Sequence, residues 1–397
     1  MYEATLSNCT EIDRDGSGRG QKQLKVFYVM PRGMYFGASQ ATSIDLCVRD
    51  LIRASRFAGS AQVIAEAIAD EFEGVALHPF PCSAISATRS RAEYAADLVG
   101  AHRPDIIIVQ QHLPTASAIA RRCPGARIVL QTHNFQKADY AAGSLKDWVR
   151  RGYKRARYRR LAGLVHVSEA CARAFAANWP DIGLPQAVVH NGLDFAAWTP
   201  AAARAREVLF VGRCVPEKGA VESAAAAARA LASLPDWTAR FILSAVRENA
   251  ATLEAVRSAL APLGARARIE VQRPFVEVKA AYEAAAIAIV PSMVSEAFGR
   301  TALEAHAGGA ALISSGIGGL REVSGTSALY LPEVTADAIA AALGRLVGAP
   351  DLRARLAREG AAWVRERFSI GSQAGRLDDF CLELALSGRI GEKQSYR

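Results

Sequence analysis

Between Val290 and Glu304 the residue types and their order suit a binding site. An apolar run ends at Pro291-Ser292, a loop carries Glu296, and Phe298-Gly299 opens a helical stretch whose second turn holds Glu304. Free backbone N–H groups and the dipole at a helix N-terminus attract phosphate or a hydroxyl-rich ring. A glycine at that end lets a ligand approach the backbone closely. A carboxylate accepts hydrogen bonds from two vicinal hydroxyls, the way ribose is commonly held. The residues alone leave a plainer alternative, in which Glu304 pairs with Arg300 on a surface helix for about 0.2–0.5 kcal/mol. Paired hydrolytic carboxylates fit poorly. Retaining glycosidases hold theirs about 5–5.5 Å apart, whereas eight helical residues span ~12 Å.

A loop of this kind must be held by a sheet, and the chain supplies two series of strands. Leu24 to Val29, Asp105 to Val109, Arg127 to Gln131, Leu164 to Val167 and Ala187 to His190 are short apolar runs separated by helical stretches such as Gln40 to Phe57. Runs of this length read as parallel strands covered on both faces. Phe195 to Arg206 has no strand pattern and is taken as a linker. The alternation restarts at Glu207 to Val211 and continues through Arg240 to Ala245, Arg268 to Val271, Ala285 to Val290, Ala310 to Ser314 and Ala328 to Leu331. The expected fold class is α/β, with two Rossmann-like doubly wound domains facing across a cleft. The divisions are a flexible N-terminal tail over 1–23, a first domain over 24–194, a linker over 195–206, a second domain over 207–370, and a helix and tail over 371–397. Leu377, Phe380, Cys381 and Leu384 give that last helix an apolar stripe, with a return to the first domain as one option.

Composition narrows the class. A chain of 397 residues, 51% hydrophobic and 22% charged, is globular and long enough for two domains. Its apolar stretches fall far short of the ~18 residues of a spanning helix, and no secretory signal pattern opens the sequence, so a cytoplasmic protein is expected. Seven cysteines lie far apart, which suggests neither a disulfide framework nor a Cys-based zinc site. Asp13-Arg14-Asp15 has an acid-x-acid form that binds metal elsewhere, but it sits in the Gly-rich tail and is set aside. The net charge of +9 calls for an anionic partner. It concentrates in Lys146 to Arg160, where eight basic residues face one acid, Asp147, alongside an apolar stripe of Leu145, Trp148, Val149, Tyr153 and Ala156. Such a stretch suits an anionic membrane surface reached from the cytoplasmic side; a covering helix with its stripe in the core is the other reading. No nucleic-acid motif accompanies the charge.

Glu296-Ala297-Phe298-Gly299-Arg300-Thr301-Ala302-Leu303-Glu304 resembles the glutamate–seven residues–glutamate motif of retaining family-4 glycosyltransferases (glycosyl transferases group 1). The resemblance extends upstream through Val211-Gly212-Arg213 and Glu217-Lys218-Gly219, and downstream through Gly308-Gly309 and Ser314 to Glu322. It implies a GT-B fold in which 24–194 is the acceptor side and 207–370 binds a nucleotide-diphosphate sugar. By that resemblance Glu304 holds the donor ribose, Glu296 a hydroxyl of the transferred sugar, and Arg213 and Lys218 the diphosphate. Phe298 and Gly299 complete the donor-binding set. Two fixed cations would also stabilise the charge that grows on a leaving diphosphate; solvated surface charges are the plainer reading. The first domain resembles the family more loosely. Gly37 is the better match to a glycine near the donor phosphates, with Phe36 where another glycine is common. His133, in Thr132-His133-Asn134, stands where the family carries a histidine facing the sugar, and His112 and Asn134 fall on the acceptor side. Either histidine could equally be structural.

The resemblance implies transfer of a hexose or related sugar with retention of configuration, onto a glycan or lipid-linked acceptor, in surface polysaccharide or lipopolysaccharide synthesis. It implies no metal, no other cofactor and no protein nucleophile. A sugar-nucleotide epimerase on the same architecture, or a degenerate transferase acting as a membrane-associated partner, are the alternatives.

Overall fold

The protein is described here as a computed structural model covering residues 23–38, 42–81, 88–136, 145–244 and 249–387. The tail expected over 1–23, with Asp13 and Asp15, lies outside the described residues apart from Gln23. Strands β1 (Val26–Val29), β2 (Gln62–Ala65), β3 (Ala76–Pro79), β4 (Ile106–Gln110), β5 (Arg127–Thr132), β6 (Gly163–His166) and β7 (Gln186–Val188) form one sheet in the order β3-β2-β1-β4-β5-β6-β7. Strands β8 (Ala205–Arg213), β9 (Thr238–Ser244), β10 (Ala267–Val271), β11 (Ala285–Val290), β12 (Ala311–Ser314) and β13 (Ala328–Tyr330) form a second, ordered β10-β9-β8-β11-β12-β13. Every pairing is parallel. The architecture is α/β, two Rossmann-like domains.

The central strands are continuous apolar runs because helices cover both faces. All six residues of β11 are buried, as are all four of β1. In the first domain the covering helices are α1 (Ser43–Ala54), α2 (Thr88–His102), α3 (Leu113–Arg122), α4 (Leu145–Tyr158) and α5 (Glu169–Asn178). In the second they are α6 (Ala220–Ala230), α7 (Ala250–Leu260), α8 (Phe275–Ala284), α9 (Arg300–Ala307), α10 (Gly319–Ser324), α11 (Ala336–Gly348) and α12 (Pro350–Arg367). Strand order reverses between β1 and β4 and again between β8 and β11. The carboxyl ends of strands at such a reversal leave a crevice for ligands, and Arg213 ends β8 there.

Strands β2 and β3 are additions to the sequence reading. Each is four residues long, and β3 is an edge strand containing His78 and Pro79, so neither presents the apolar run that marks the central strands. The stretch read as a linker is not slack. Phe195 and Trp198 are buried, and Arg204 donates to the carbonyl oxygens of Glu283, Tyr282 and Ala285 at 2.8, 3.3 and 3.3 Å. Strand β8 already begins at Ala205.

The last helix, α13 (Ile370–Leu386), lies on the first domain. Ala374, Leu377, Phe380, Cys381 and Leu384 join the core formed by Val26, Tyr28 and Leu51. Asp378 accepts from Ser55 Oγ at 2.7 Å and from the Arg56 N–H at 2.9 Å. The chain therefore crosses between domains twice, and the two crossings are bonded to each other. Leu193 N–H donates to Phe368 O at 3.0 Å, and Ile370 N–H donates to Leu193 O at 2.9 Å.

Candidate active site

Two loops at the β8/β11 reversal build the site. After β8, Pro216–Lys218 forms a 3-10 turn closed by Gly219 at φ 70°. A side chain on Gly219 would bring a Cβ within 2.8 Å of Pro291 O, so the turn packs directly on the end of β11. Met293 N–H donates to Glu217 O at 2.9 Å and joins the two loops. This close contact sets the Lys218 ammonium on the Glu296 carboxylate, which also accepts from Ser292 Oγ. Arg213 stands at the end of β8, largely exposed, with Glu217 3.7 Å away.

The loop before α9 is shaped by glycines. Gly299 has φ 106°, a backbone conformation that L side chains rarely adopt, and its Cβ would meet Leu320 Cδ2 at 2.5 Å. Gly319 N–H donates to Glu296 O at 2.8 Å, and a Cβ on Gly319 would sit 2.6 Å from Phe298 Cα. Gly318 and Gly319 are thus bare because the Glu296–Phe298 loop lies against them. Phe298 is buried against His190 and Phe368, at ring distances of 5.7 and 5.5 Å.

Glu304 and Arg300 do pair, as the plainer reading held, but not on a surface. Arg300 Nε donates to Glu304 Oε1 at 2.7 Å with both side chains almost wholly buried. The same guanidinium reaches across to α1, meeting Cys47 Sγ at 2.8 Å and Ser43 O at 3.4 Å. Burial raises the Glu304 carboxyl above its ordinary value, against the lowering effect of Arg300. The first domain therefore covers this carboxylate.

The family model for glycosyl transferases group 1 matches residues 205–349, and that for glycosyltransferase family 4 matches residues 58–197. Between them they cover every strand of the two sheets except β1. The chain belongs to the family-4 glycosyltransferases. D-inositol 3-phosphate glycosyltransferase of Thermobispora bispora is 34% identical over 217 residues, 49% of this chain and 50% of that protein. Glycogen synthase of Mycobacterium tuberculosis is 27% identical over 306 residues, 74% of this chain and 71% of that protein. The chain thus spans only half the length of the first of these relatives. Among solved structures, sucrose-phosphate synthase of Thermosynechococcus elongatus superposes with TM-score 0.73 at 18% identity, covering 91% of this chain and 99% of that one. Anabaena HepE, in complex with UDP and glucose, gives TM-score 0.70 at 16% identity, covering 90% of this chain and 98% of that one. At these identities the likeness concerns the fold, GT-B.

On the first-domain side of this family-4 glycosyltransferase, His133 follows the last residue of β5. Its Nε2 lies 2.7 Å from Gln110 Oε1, and Gln110 Nε2 in turn donates to Gln131 Oε1 at 3.0 Å. That chain orients the Gln110 amide so that His133 Nε2 carries the proton and Nδ1 is left as an acceptor. Burial lowers the His133 pKa to about 4, so the ring is neutral at pH 7. The His133 N–H donates at 2.5 Å to Oε1 of Gln111, a residue whose φ is 60°. His112 caps α3, its Nδ1 accepting from Thr115 N–H at 3.4 Å and lying 2.8 Å from Thr115 Oγ1. Asn134 is exposed beside His133. Gly37 is buried, and its missing side chain is explained by packing, since a Cβ would fall 2.6 Å from both Asp70 O and Ile68 Cγ2.

The sequence gives no role to His190, offers Arg300 only as a helical partner of Glu304, and places Glu322 only within the motif. Glu322 of α10 accepts from His190 Nε2 at 2.6 Å and from the first N–H groups of α5, Glu169 at 2.9 Å and Ala170 at 3.3 Å. Burial alone would raise its carboxyl, but His190 and those amides hold it below the ordinary value. Ser168, the cap of α5, donates to Ala297 O in the Glu296 loop. No signal in a single sequence joins residues 132 positions apart.

Proposed function

We propose that the protein transfers a sugar from a nucleotide-diphosphate sugar to a hydroxyl acceptor, with retention of anomeric configuration and without a metal. The observation that carries this is the Lys218–Glu296 contact, made by two loops at the β8/β11 reversal with Arg213 beside them. A cation and a carboxylate held together suit a ligand bearing both phosphate and hydroxyls. On donor binding Lys218 and Arg213 take the diphosphate, and Glu296 takes a hydroxyl of the transferred sugar. The neutral His133 ring, its Nε2 held by Gln110, offers Nδ1 as an acceptor to the sugar side. Glu304 holds the ribose once Arg300 gives up its carboxylate. The leaving diphosphate, neutralised by the two cations, helps to take the acceptor proton on the same face, so no side-chain nucleophile is assigned. The acceptor is a glycan or lipid-linked hydroxyl of surface polysaccharide or lipopolysaccharide synthesis, worked on at the inner face of a membrane.

The test begins with thermal shift against a panel of nucleotide sugars, led by UDP-glucose because the Anabaena neighbour holds UDP and glucose. A ligand at 100 times its dissociation constant stabilises by about 2.7 kcal/mol. Donors that bind are then offered glycan, lipid-linked and inositol phosphate acceptors, the last because relatives carry that name. Product with the donor's anomeric configuration, formed equally in EDTA, supports the proposal. An epimerised donor formed without acceptor, or activity lost in EDTA and restored by manganese, overturns it.

A further inference from the structure

The basic helix α4 has two sides with different occupations. Its inward side is fixed by packing and polar ties. Tyr158 is fully buried, edge-on to Phe175 and tilted against Trp179. Arg151 donates to Asn178 O at 2.8 Å, and Arg155 and Arg159 pair with Asp181 at 2.6 and 3.3 Å. Arg151 and Lys154 also lie over the Trp179 ring at 5.3 and 5.4 Å. Part of the positive charge seen in the sequence is therefore spent on holding α4 to α5 and the residues after it.

The other side is apolar and open. Leu145, Trp148, Val149 and Tyr153 are 77, 74, 55 and 58% exposed, and Tyr158 is the buried residue of the helix. These four are half of the exposed large hydrophobic side chains among the described residues, gathered within three turns. At 100° per residue, Leu145, Val149, Gly152, Tyr153 and Ala156 fall on the side opposite Tyr158. The periodic stripe that the sequence left between core and surface thus faces away from the core. Cations border it. Arg157 lies 4.2 Å from the Tyr153 ring centre, Arg121 and Arg160 are close enough to act electrostatically on its phenol, and Lys146 and Arg150 are exposed.

We propose that this face of α4 docks the protein on a bilayer carrying acidic headgroups. The apolar strip with Tyr153, and the exposed Trp148 on its flank, enter the boundary between headgroups and acyl chains, while bordering Lys and Arg meet the anionic surface. The basic border complements an acidic headgroup surface, and a second copy of this chain would bring like charge against like. The helix is tied to the acceptor side of the cleft. Tyr158 OH donates to Gln136 Oε1 at 3.0 Å, and Gln136 Nε2 donates to Asn134 O at 3.3 Å. Docking would hold the His133–Asn134 loop close to a lipid-linked hydroxyl. The proposal rests on the functional reading above only for that purpose, since binding itself needs neither donor nor acceptor.

The experiment is co-sedimentation of the full chain with vesicles of phosphatidylcholine alone or mixed with phosphatidylglycerol. Three proteins are compared: the parent, the triple variant Leu145→Ser/Val149→Ser/Tyr153→Ser, and the border variant Lys146→Gln/Arg150→Gln. The substituted residues are exposed, and unchanged thermal midpoints check that the variants fold. The parent should bind only acidic vesicles and shift its tryptophan emission to the blue, a shift absent in Trp148→Phe. Bound protein should fall steeply as salt rises from about 0.1 to about 1 M, over which the screening length drops from ~10 to ~3 Å. Each variant should lose tenfold or more in the bound-to-free ratio. A parent that ignores acidic vesicles overturns the proposal, as does a folded triple variant that binds like the parent. Self-association abolished by the triple variant, without vesicle binding, would show a second copy to be the occupant. Vesicle binding by a protein that transfers no sugar would sink the functional reading and leave the docking surface standing.

Discussion

The His190 imidazole and the Glu322 carboxylate meet at 2.6 Å across the boundary between the two domains. Glu322 also takes the first two N–H groups of α5, where a negative charge complements the helix dipole. One carboxylate from the second domain thus satisfies three donors of the first, a few residues from the Gly318–Gly319 turn that backs the Glu296 loop.

Removing that carboxylate should loosen the closed arrangement. Hydrogen bonds to charged groups contribute about 1.5–3 kcal/mol each, so Glu322→Ala is expected to open the cleft and to lower turnover by about tenfold or more. Small-angle X-ray scattering gives the first readout and steady-state kinetics the second. An unchanged radius of gyration together with unchanged turnover would reduce the contact to an incidental one.

The paired Lys218 and Glu296 lead to a second expectation. Arg213→Ala and Lys218→Ala should each lower turnover by ~10²-fold at saturating donor, as loss of a transition-state donor does. If both variants turn over like the parent, the cations hold no phosphate.

The Arg300–Glu304 pair makes Glu304→Ala a poor probe, because stripping one partner from a buried ion pair costs about 3–5 kcal/mol of stability. Glu304→Gln keeps the shape and an oxygen for Arg300. It should weaken binding of nucleoside diphosphate alone by about tenfold, ~1.4 kcal/mol, because the proposed ribose contact would be shared by donor and product. Calorimetry giving equal affinity for parent and variant removes Glu304 from the nucleotide site.

Stability should fall in mild acid through His306. This ring is fully buried in α9, neither nitrogen has a hydrogen-bond partner among the described residues, and Gly360 of α12 presses directly on it. Burial lowers its pKa from 6.5 to about 4. The unfolded chain then binds the proton more readily than the folded one. The stability that this group contributes is present above pH 6.5 and is lost as pH falls toward 4, about 3 kcal/mol in full. His306→Leu should flatten the fall in thermal midpoint between pH 7 and pH 4. Parallel profiles for parent and variant would show that other groups, His133 among them, set the acid limit.

The central strands and the Glu296 loop were legible in the sequence because their signals are local. Ala285–Val290 is apolar throughout, and a glycine at 299 announces the start of a helix. Strands β2 and β3 were not, since four residues at or next to a sheet edge carry no period. His190 and Glu322 are joined only by folding, and Arg300 was visible as a helical neighbour of Glu304 but not as a group reaching α1. The stripe on α4 was visible too, yet periodicity does not say which way a face points. Gly318 and Gly319 lie within the stretch that resembles the family, but only the structure shows the backbone of the Glu296–Phe298 loop packed against them.

The return of α13 to the first domain fixes an order of events during synthesis. The core around Val26, Tyr28 and Leu51 closes only when Leu377, Phe380 and Leu384 arrive, and these are made after the whole second sheet. At 5–20 residues per second, the ribosome needs roughly 10–40 s between finishing β7 and finishing α13. Through that interval the face that α13 will cover stays exposed, and the second domain, whose elements are contiguous from β8 onward, can fold first. A chain cut between the two sheets would leave the first half permanently in that unfinished state. The two halves are separate sheets but not separable parts, and expressing the first alone should give an aggregating fragment that α13, supplied as a peptide, can complete.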